Sequence, residues 1–219
     1  ENPDRYADGP ARDEAFIREL GEIITKSDNP NLKIYDSEWN AQSTDWRTGL
    51  YCGGILNAFE RCGEFFEIGG PALFLRHTSA TAWDNAFINF NHTGWFPAPN
   101  YVVMKLWRDH YAPIRIATSD IPQGLNAVAT KSVDGRTLYF KAVNPTDASM
   151  TLNLTLPESV SAAGAKLEIV QADSLRARNT LEKPDAIQAI EGKVDAFGPQ
   201  RITVTLPALS AGVVTIDCK

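Results

Sequence analysis

The chain has 219 residues and a formal net charge of −6, with 43% hydrophobic and 22% charged residues, the proportions of a folded globular protein rather than a disordered one. No Lys/Arg cluster is present to neutralise phosphates, which excludes nucleic acid and an anionic membrane surface as main partners and favours a neutral substrate. The longest apolar runs, such as Gly53 to Phe59, stop well short of a membrane span.

The first residues, Glu1-Asn2-Pro3-Asp4-Arg5-Tyr6, read as the middle of a loop, as though a leader had been removed or a longer polypeptide cut. Ala11 to Lys26 then sets Phe16, Ile17, Leu20, Ile23 and Ile24 at helical spacing, with Asp13 and Glu14 in the first turn where the helix dipole favours them. Ser27-Asp28-Asn29-Pro30 ends it. A short strand is expected over Leu32 to Asp36, a second helix over Asp45 to Phe66 with Gly53 and Gly54 marking close packing, and a further strand over Ile68 to Leu75. A long aromatic loop follows. Pro97-Ala98-Pro99 starts a last helix through Trp107, since proline is tolerated in a first helical turn.

All five tryptophans and all three histidines lie at or before His110, after which the text changes to Val, Thr, Leu and Ala punctuated by Gly, Pro and Asn. That shift puts a boundary near Ala112-Pro113, dividing the chain into 1–112 and 113–219. Six strands are expected beyond it, at Leu125–Lys131, Leu138–Asn144, Met150–Leu156, Lys166–Ala172, Arg201–Leu206 and Val213–Asp217, separated by turns such as Asp134-Gly135. An antiparallel, jelly-roll-like β-sandwich accounts for them most economically. The first half calls for a parallel sheet, which two strands cannot complete. A (β/α)₈ barrel takes roughly 200 or more residues, so residues 1–112 read as the last two strands and helices of a barrel whose earlier strands lie on other polypeptide.

Lys33-Ile34-Tyr35-Asp36-Ser37-Glu38-Trp39-Asn40 carries the chemistry. A carboxylate at the end of an apolar strand either escapes to solvent or is held for a purpose. In a parallel barrel the C-terminal ends of the strands form the active-site face. The bland reading of Glu38 is a loop carboxylate that caps backbone N–H groups; spacing alone does not separate the two. Trp39, Trp83 and Trp95 are candidate sugar platforms, because aromatic faces stack on sugar rings; the competing role for each is core packing, the more natural one for Trp39. Asn40 bonds either a sugar hydroxyl or the backbone.

His77, His92 and His110 are too scattered for a metal site, and neither a metal nor a cofactor is assigned. Glu60, Glu64 and Glu67 are expected on a solvated face, which leaves Asp84 as the one loop carboxylate suited to a second catalytic role. The three cysteines, Cys52, Cys62 and Cys218, have neither metal-ligand nor disulfide spacing and read as structural thiols. The sequons Asn91-His92-Thr93 and Asn153-Leu154-Thr155 matter only on a glycosylating secretory route. A secreted or periplasmic location is compatible with the chain, and the compartment stays open.

Tyr35 to Asn40 resembles the nucleophile strand of glycoside hydrolase family 51 α-L-arabinofuranosidases, which read D-E-W-N there or, in the plant and fungal branch, S-E-Y. Gly54-Ile55-Leu56-Asn57-Ala58-Phe59 with Arg61 is similar to that family's next helix. Trp83 to Phe90 and Pro99-Asn100-Tyr101-Val102-Val103-Met104-Lys105-Leu106-Trp107 resemble its loop and helix after the eighth strand, and Asn179-Thr180-Leu181-Glu182-Lys183-Pro184 its sandwich-domain turn. Two departures, Ser37 in place of an acid and Ala72-Leu73-Phe74 in place of a sugar-contacting glutamine, point to the plant-like branch.

The resemblance implies a retaining glycosidase in which Glu38 is the nucleophile and the acid/base carboxyl lies upstream of Glu1. Implied partners are an arabinose-containing oligo- or polysaccharide and the N-terminal portion of the same enzyme as a separate chain. An endo-β-1,4-glucanase or xylanase on the same scaffold, and a non-catalytic carbohydrate-binding module, are the competing functions.

Overall fold

The computed structural model describes residues 2–219. After a 3-10 turn at Pro3–Arg5 come α1 (Gly9–Thr25), β1 (Ile34–Trp39), α2 (Trp46–Arg61), β2 (Phe66–Pro71), β3 (Leu75–His77), β4 (Ile88–Asn91), β5 (Gly94–Pro97) and α3 (Pro99–Asp109). Nine strands complete the chain: β6 (Ile114–Ile116), β7 (Asn126–Lys131), β8 (Thr137–Asn144), β9 (Met150–Thr155), β10 (Ala162–Gln171), β11 (Ile190–Gly192), β12 (Val194–Phe197), β13 (Arg201–Leu206) and β14 (Ser210–Cys218). The architecture is mixed and rich in sheet, with three α-helices among the described residues.

β1 and β2 pair in parallel, as the crossover through α2 requires. An antiparallel sheet in the order β11-β10-β14-β8-β7-β6 packs one face on the β12-β13-β9 sheet, through Phe140, Ala142, Val214 and Ile216 against Leu152, Ile202 and Val204. The other face lies under α2 and α3, where Val143, Val170 and Val213 meet Trp46, Leu50, Val103 and Trp107. Successive strand residues point to opposite faces, so β8 and β14 must be apolar on both. The apolar pairs Ala142-Val143 in β8 and Val213-Val214 in β14 follow from that burial, and Lys141 is the one charged side chain set among them.

Glycine sets how closely α2 packs on the sheet and on α1. A Cβ on Gly53 would stand 2.7 Å from Val143 Cγ2, and one on Gly54 2.7 Å from Pro10 Cγ, which is the close packing their positions in α2 announce.

Three expectations are corrected. The helix expected to Phe66 ends at Arg61: the Cys62 N–H closes on Ala58 and Phe59 carbonyls, and the Phe65 and Phe66 N–H groups return to Cys62 O. Phe66 is thereby freed to open β2 and to stack on Phe59 with ring centroids 3.9 Å apart. The expected loop between Leu75 and Pro97 contains a small sheet of its own, in the order β3-β4-β5. Glu60 is not solvated, because α2 lies on the sheet and sets it against Lys141 of β8, which is fully buried.

Candidate functional site at the end of β1

Glu38 lies inside β1 rather than beyond it. Asp36 pairs with Gly69 and Trp39 with Pro71, so β1 spends one more residue than β2 over this interval, a bulge. Its consequence can be worked out from the two faces of the pair. A Cβ on Gly69 would touch Phe59, Phe66 and Trp39, so the Asp36–Gly69 rung faces the helices. Tyr35 and Ile68, the rung before, are 64% and 56% exposed on the opposite side.

Strict alternation from Asp36 would put Trp39 on the open side; the extra residue brings it to the helix side instead, where it is 6% exposed and meets Phe59 and Phe87 edge-on at 5.7 and 5.6 Å. Glu38, the residue before it, lies within the bulged stretch. It is exposed.

The segment around Glu38 is held from several directions. Asp36 Oδ1 accepts the Glu38 N–H at 3.3 Å. Burial pushes the Asp36 carboxyl above the usual carboxylate range, against the pull of that N–H. β1 and β2 approach so closely that a Cβ on Gly70 would stand 2.8 Å from Ser37 O. Asn40 donates through Nδ2 to Ala72 O and, at 2.6 Å, to Asn85 O, while its Oδ1 accepts from the Ala41 N–H at 2.8 Å and Asn100 Nδ2 at 3.2 Å. Of its two expected roles, backbone bonding is the one these contacts fill. A hollow of about 190 Å³ beside the strand is lined by Asp13, Ile17, Asp36, Glu38, Trp39 and Tyr51, with Tyr51 donating to Asp13 at 2.8 Å.

Trp39 is thus a buried support, with its indole N–H unpaired in the core. Trp83 and Trp95 are 70% and 58% exposed. Trp83 sits at φ 59° in the loop before β4, a loop tied down by Arg76, which donates to Ala80 and Ala82 carbonyls. Trp95 lies on β5. Asp84, the loop carboxylate considered for a second catalytic role, faces Arg76 at 3.7 Å and Arg178 at 3.9 Å. Asn85, Asn100 and Arg76 were not singled out from the sequence. Three asparagines in Asp84 to Asn91 and one after Pro99 were the available signal, since buried Asn is kept where backbone groups need partners.

Chemically, this is an exposed carboxylate at the C-terminal end of a parallel strand, backed by a packed indole and fixed by an Asn that ties three segments together. Among the described residues no group of three His, Cys, Asp or Glu side chains is placed to hold a metal ion.

Comparison with solved structures shows the same fold. The α-L-arabinofuranosidase of Thermotoga maritima, in its arabinose complex, superposes with a TM-score of 0.83 at 16% identity, covering 99% of this chain and 50% of that one. The family 51 arabinofuranosidase of Xanthomonas axonopodis pv. citri gives 0.78 at 17% identity over 93% and 45%. The catalytic domain of the family 30 xylanase C from Talaromyces cellulolyticus gives 0.65 at 15% over 87% and 41%. This chain therefore spans about half the length of the arabinofuranosidases that it matches. No curated protein matches its sequence significantly. The model of the α-L-arabinofuranosidase C-terminal domain matches residues 24–210, and over that span, most of its length, the chain belongs to this family.

Proposed function

We propose that this chain is the nucleophile-bearing C-terminal part of a retaining glycoside hydrolase that releases α-L-arabinofuranosyl residues from plant-type polysaccharides. Residues 1–112 are then the last two strands and helices of a (β/α)₈ barrel, and 113–219 a jelly-roll-like sandwich domain. The observation that supports the reading is the position of Glu38, exposed near the C-terminal end of a strand that pairs in parallel with β2.

In the first step a Glu38 carboxylate oxygen attacks the anomeric carbon. The glycosidic bond breaks, and the departing oxygen takes a proton from a second carboxyl roughly 5 Å away. That carboxyl then deprotonates water, which attacks the same carbon, and the bond to Glu38 breaks. The second carboxyl belongs to the N-terminal portion that completes the barrel, so this chain alone is inactive. Trp83 and Trp95 contact the polysaccharide substrate, while Trp39 and Asn40 shape the pocket.

The test uses this chain together with its N-terminal portion. A slowly turned-over aryl α-L-arabinofuranoside should add one pentosyl mass to the Glu38 peptide, and Glu38→Gln should remove the adduct and lower kcat by roughly 10⁴-fold or more. Turnover of β-glucan or xylan with none of the arabinofuranoside would replace this reading by an endo-acting one on the same scaffold. Sugar binding with no turnover, unchanged in Glu38→Gln, would make the protein a carbohydrate-binding module.

A further inference from the structure

We infer that the outward face of the β3–β5 sheet is a platform that binds a neutral polysaccharide chain. The inference rests on the glycosidase reading and extends its cleft away from the sugar bonded at Glu38.

The strand registers build the platform. His77 pairs with Phe90 and Phe90 with Trp95, so three rings stand on one rung and share one face of the sheet, with His77 and Phe90 edge to face at 5.4 Å. Leu75, Ile88 and Pro97 form the rung two residues along, on the same face. Leu75, Phe90 and Trp95 are 57%, 37% and 58% exposed, whereas Asn89, between the two rungs, is 1% exposed. The alternation is that of a sheet whose apolar side faces solvent.

The chemistry of the face selects its occupant. None of the six side chains is a carboxylate, Lys or Arg, so an ionic ligand finds no partner, while the exposed Trp95 indole suits the C–H face of a sugar ring. A polar donor stands at the rim. His77 Nδ1 accepts the Ser79 N–H at 3.3 Å and lies 2.7 Å from Ser79 Oγ, which leaves the ring proton on Nε2. The turn is rigid as well, because Asn91 Oδ1 accepts from the Thr93 N–H and hydroxyl and the Gly94 N–H.

Size points the same way. Three strands about 4.8 Å apart, two rungs deep, present on the order of 100–200 Å², far below the roughly 800 Å² that each partner contributes to a stable protein interface. It is the area of one or two sugar rings. The platform also continues the end of the β1–β2 pair that carries Glu38: β2 runs into β3 through residues 72–74, and Asn40 bonds carbonyls at Ala72 and Asn85 on either side of β3.

Native electrophoresis of the full chain through gels containing soluble arabinoxylan tests this. The wild type should be retarded, and Trp95→Thr and Phe90→Thr, which keep strand propensity, should weaken apparent affinity about tenfold. Val133→Ser, on a distant exposed turn, should not change it, and circular dichroism checks that each variant folds. An unretarded wild type, or variants retarded equally, overturns the platform. So does a wild type that light scattering shows to be a dimer broken by Trp95→Thr, because the face then joins two copies. Trapping at Glu38 separates the two proposals: an adduct with unaffected Trp95→Thr mobility sinks the platform alone, and platform-dependent retardation without an adduct sinks the glycosidase reading alone.

Discussion

The strand that carries Glu38 is held against its neighbour by residues that never touch a substrate. Gly70 is one: a Cβ there would stand 2.8 Å from Ser37 O, a backbone atom that cannot rotate away. Gly70→Ala should therefore push β1 from β2, costing about 1–3 kcal/mol by overpacking and lowering the yield of adduct at Glu38. A urea titration paired with the trapping assay would show both effects; an unchanged midpoint would mean that the strands part freely. By contrast, Gly63 has nothing within 3.5 Å of its added Cβ, and Gly63→Ala should leave the midpoint unmoved or slightly raised.

A second residue-scale device holds the start of α2. Asp45, 1% exposed, caps the helix by accepting the Arg47 N–H and binds the Arg47 guanidinium through both oxygens at 2.9 and 2.7 Å. Burial pushes the Asp45 carboxyl up, but the bonds from Arg47 and Ser43 outweigh it and hold it below the usual range. Glu14, beside Arg61 and Arg18, is held low in the same way. A carboxyl lower in the folded than in the unfolded state adds stability that is whole above its unfolded value and is lost as pH falls through the folded one. Stability should thus decline below about pH 4, and Asp45→Asn should flatten that acid limb while lowering stability near neutrality. Unfolding midpoints measured from pH 3 to 7 would reveal an unaltered limb if Asp45 contributes nothing.

At the scale of elements, α2 is joined to β8 by an ion pair between Glu60 and Lys141, with Lys141 fully buried and Glu60 Oε2 unpaired. Desolvation dominates on both sides: it raises the Glu60 carboxyl and lowers the Lys141 ammonium more than each restores to the other. Both directions say that the pair is costly to bury, so it does not hold α2 onto the sheet by its own net energy. Removing one partner is worse still. Lys141→Met should destabilise by about 3 kcal/mol, while Lys141→Met with Glu60→Leu should recover most of that loss or exceed the wild type. A double-mutant cycle in urea decides it, and additive single effects would contradict the coupling.

This pair also marks where reading from sequence fails. Helix α2 was legible from its apolar periodicity and its glycines, but which side of Glu60 meets another element depends on a sheet built more than 70 residues later. The strands from β7 to β14 that carry long Val, Leu and Thr runs were legible for the opposite reason, since their pattern is local. β3, β4 and β5 have three or four residues each, too few for alternation to stand out from an aromatic loop. At the site, the exposed position of Glu38 near the end of a strand was legible. The bulge beside it was not, because a bulge is a relation between two strands.

At the scale of the molecule, the β1–β2 pair is a fragment of sheet with helices on one side only. Tyr35 and Ile68 on its open face, and Phe16 and Ile23 on α1, are 56–64% exposed, an apolar surface that water disfavours. Burying the four at about 25 cal/mol per Å² would stabilise a complex by several kcal/mol, so an N-terminal portion carrying the remaining strands should raise the melting temperature of this chain. The isolated chain should bind a hydrophobic dye and self-associate through the unpaired edge of β1. Tyr35→Lys with Ile68→Lys separates these effects: it should suppress dye binding and self-association, and it should also abolish stabilisation by the N-terminal portion, because two lysines would then be buried in a barrel interior without partners. A double variant still stabilised as strongly as the wild type would mean that the portion covers some other surface, and the barrel assigned to residues 1–112 would fall with it.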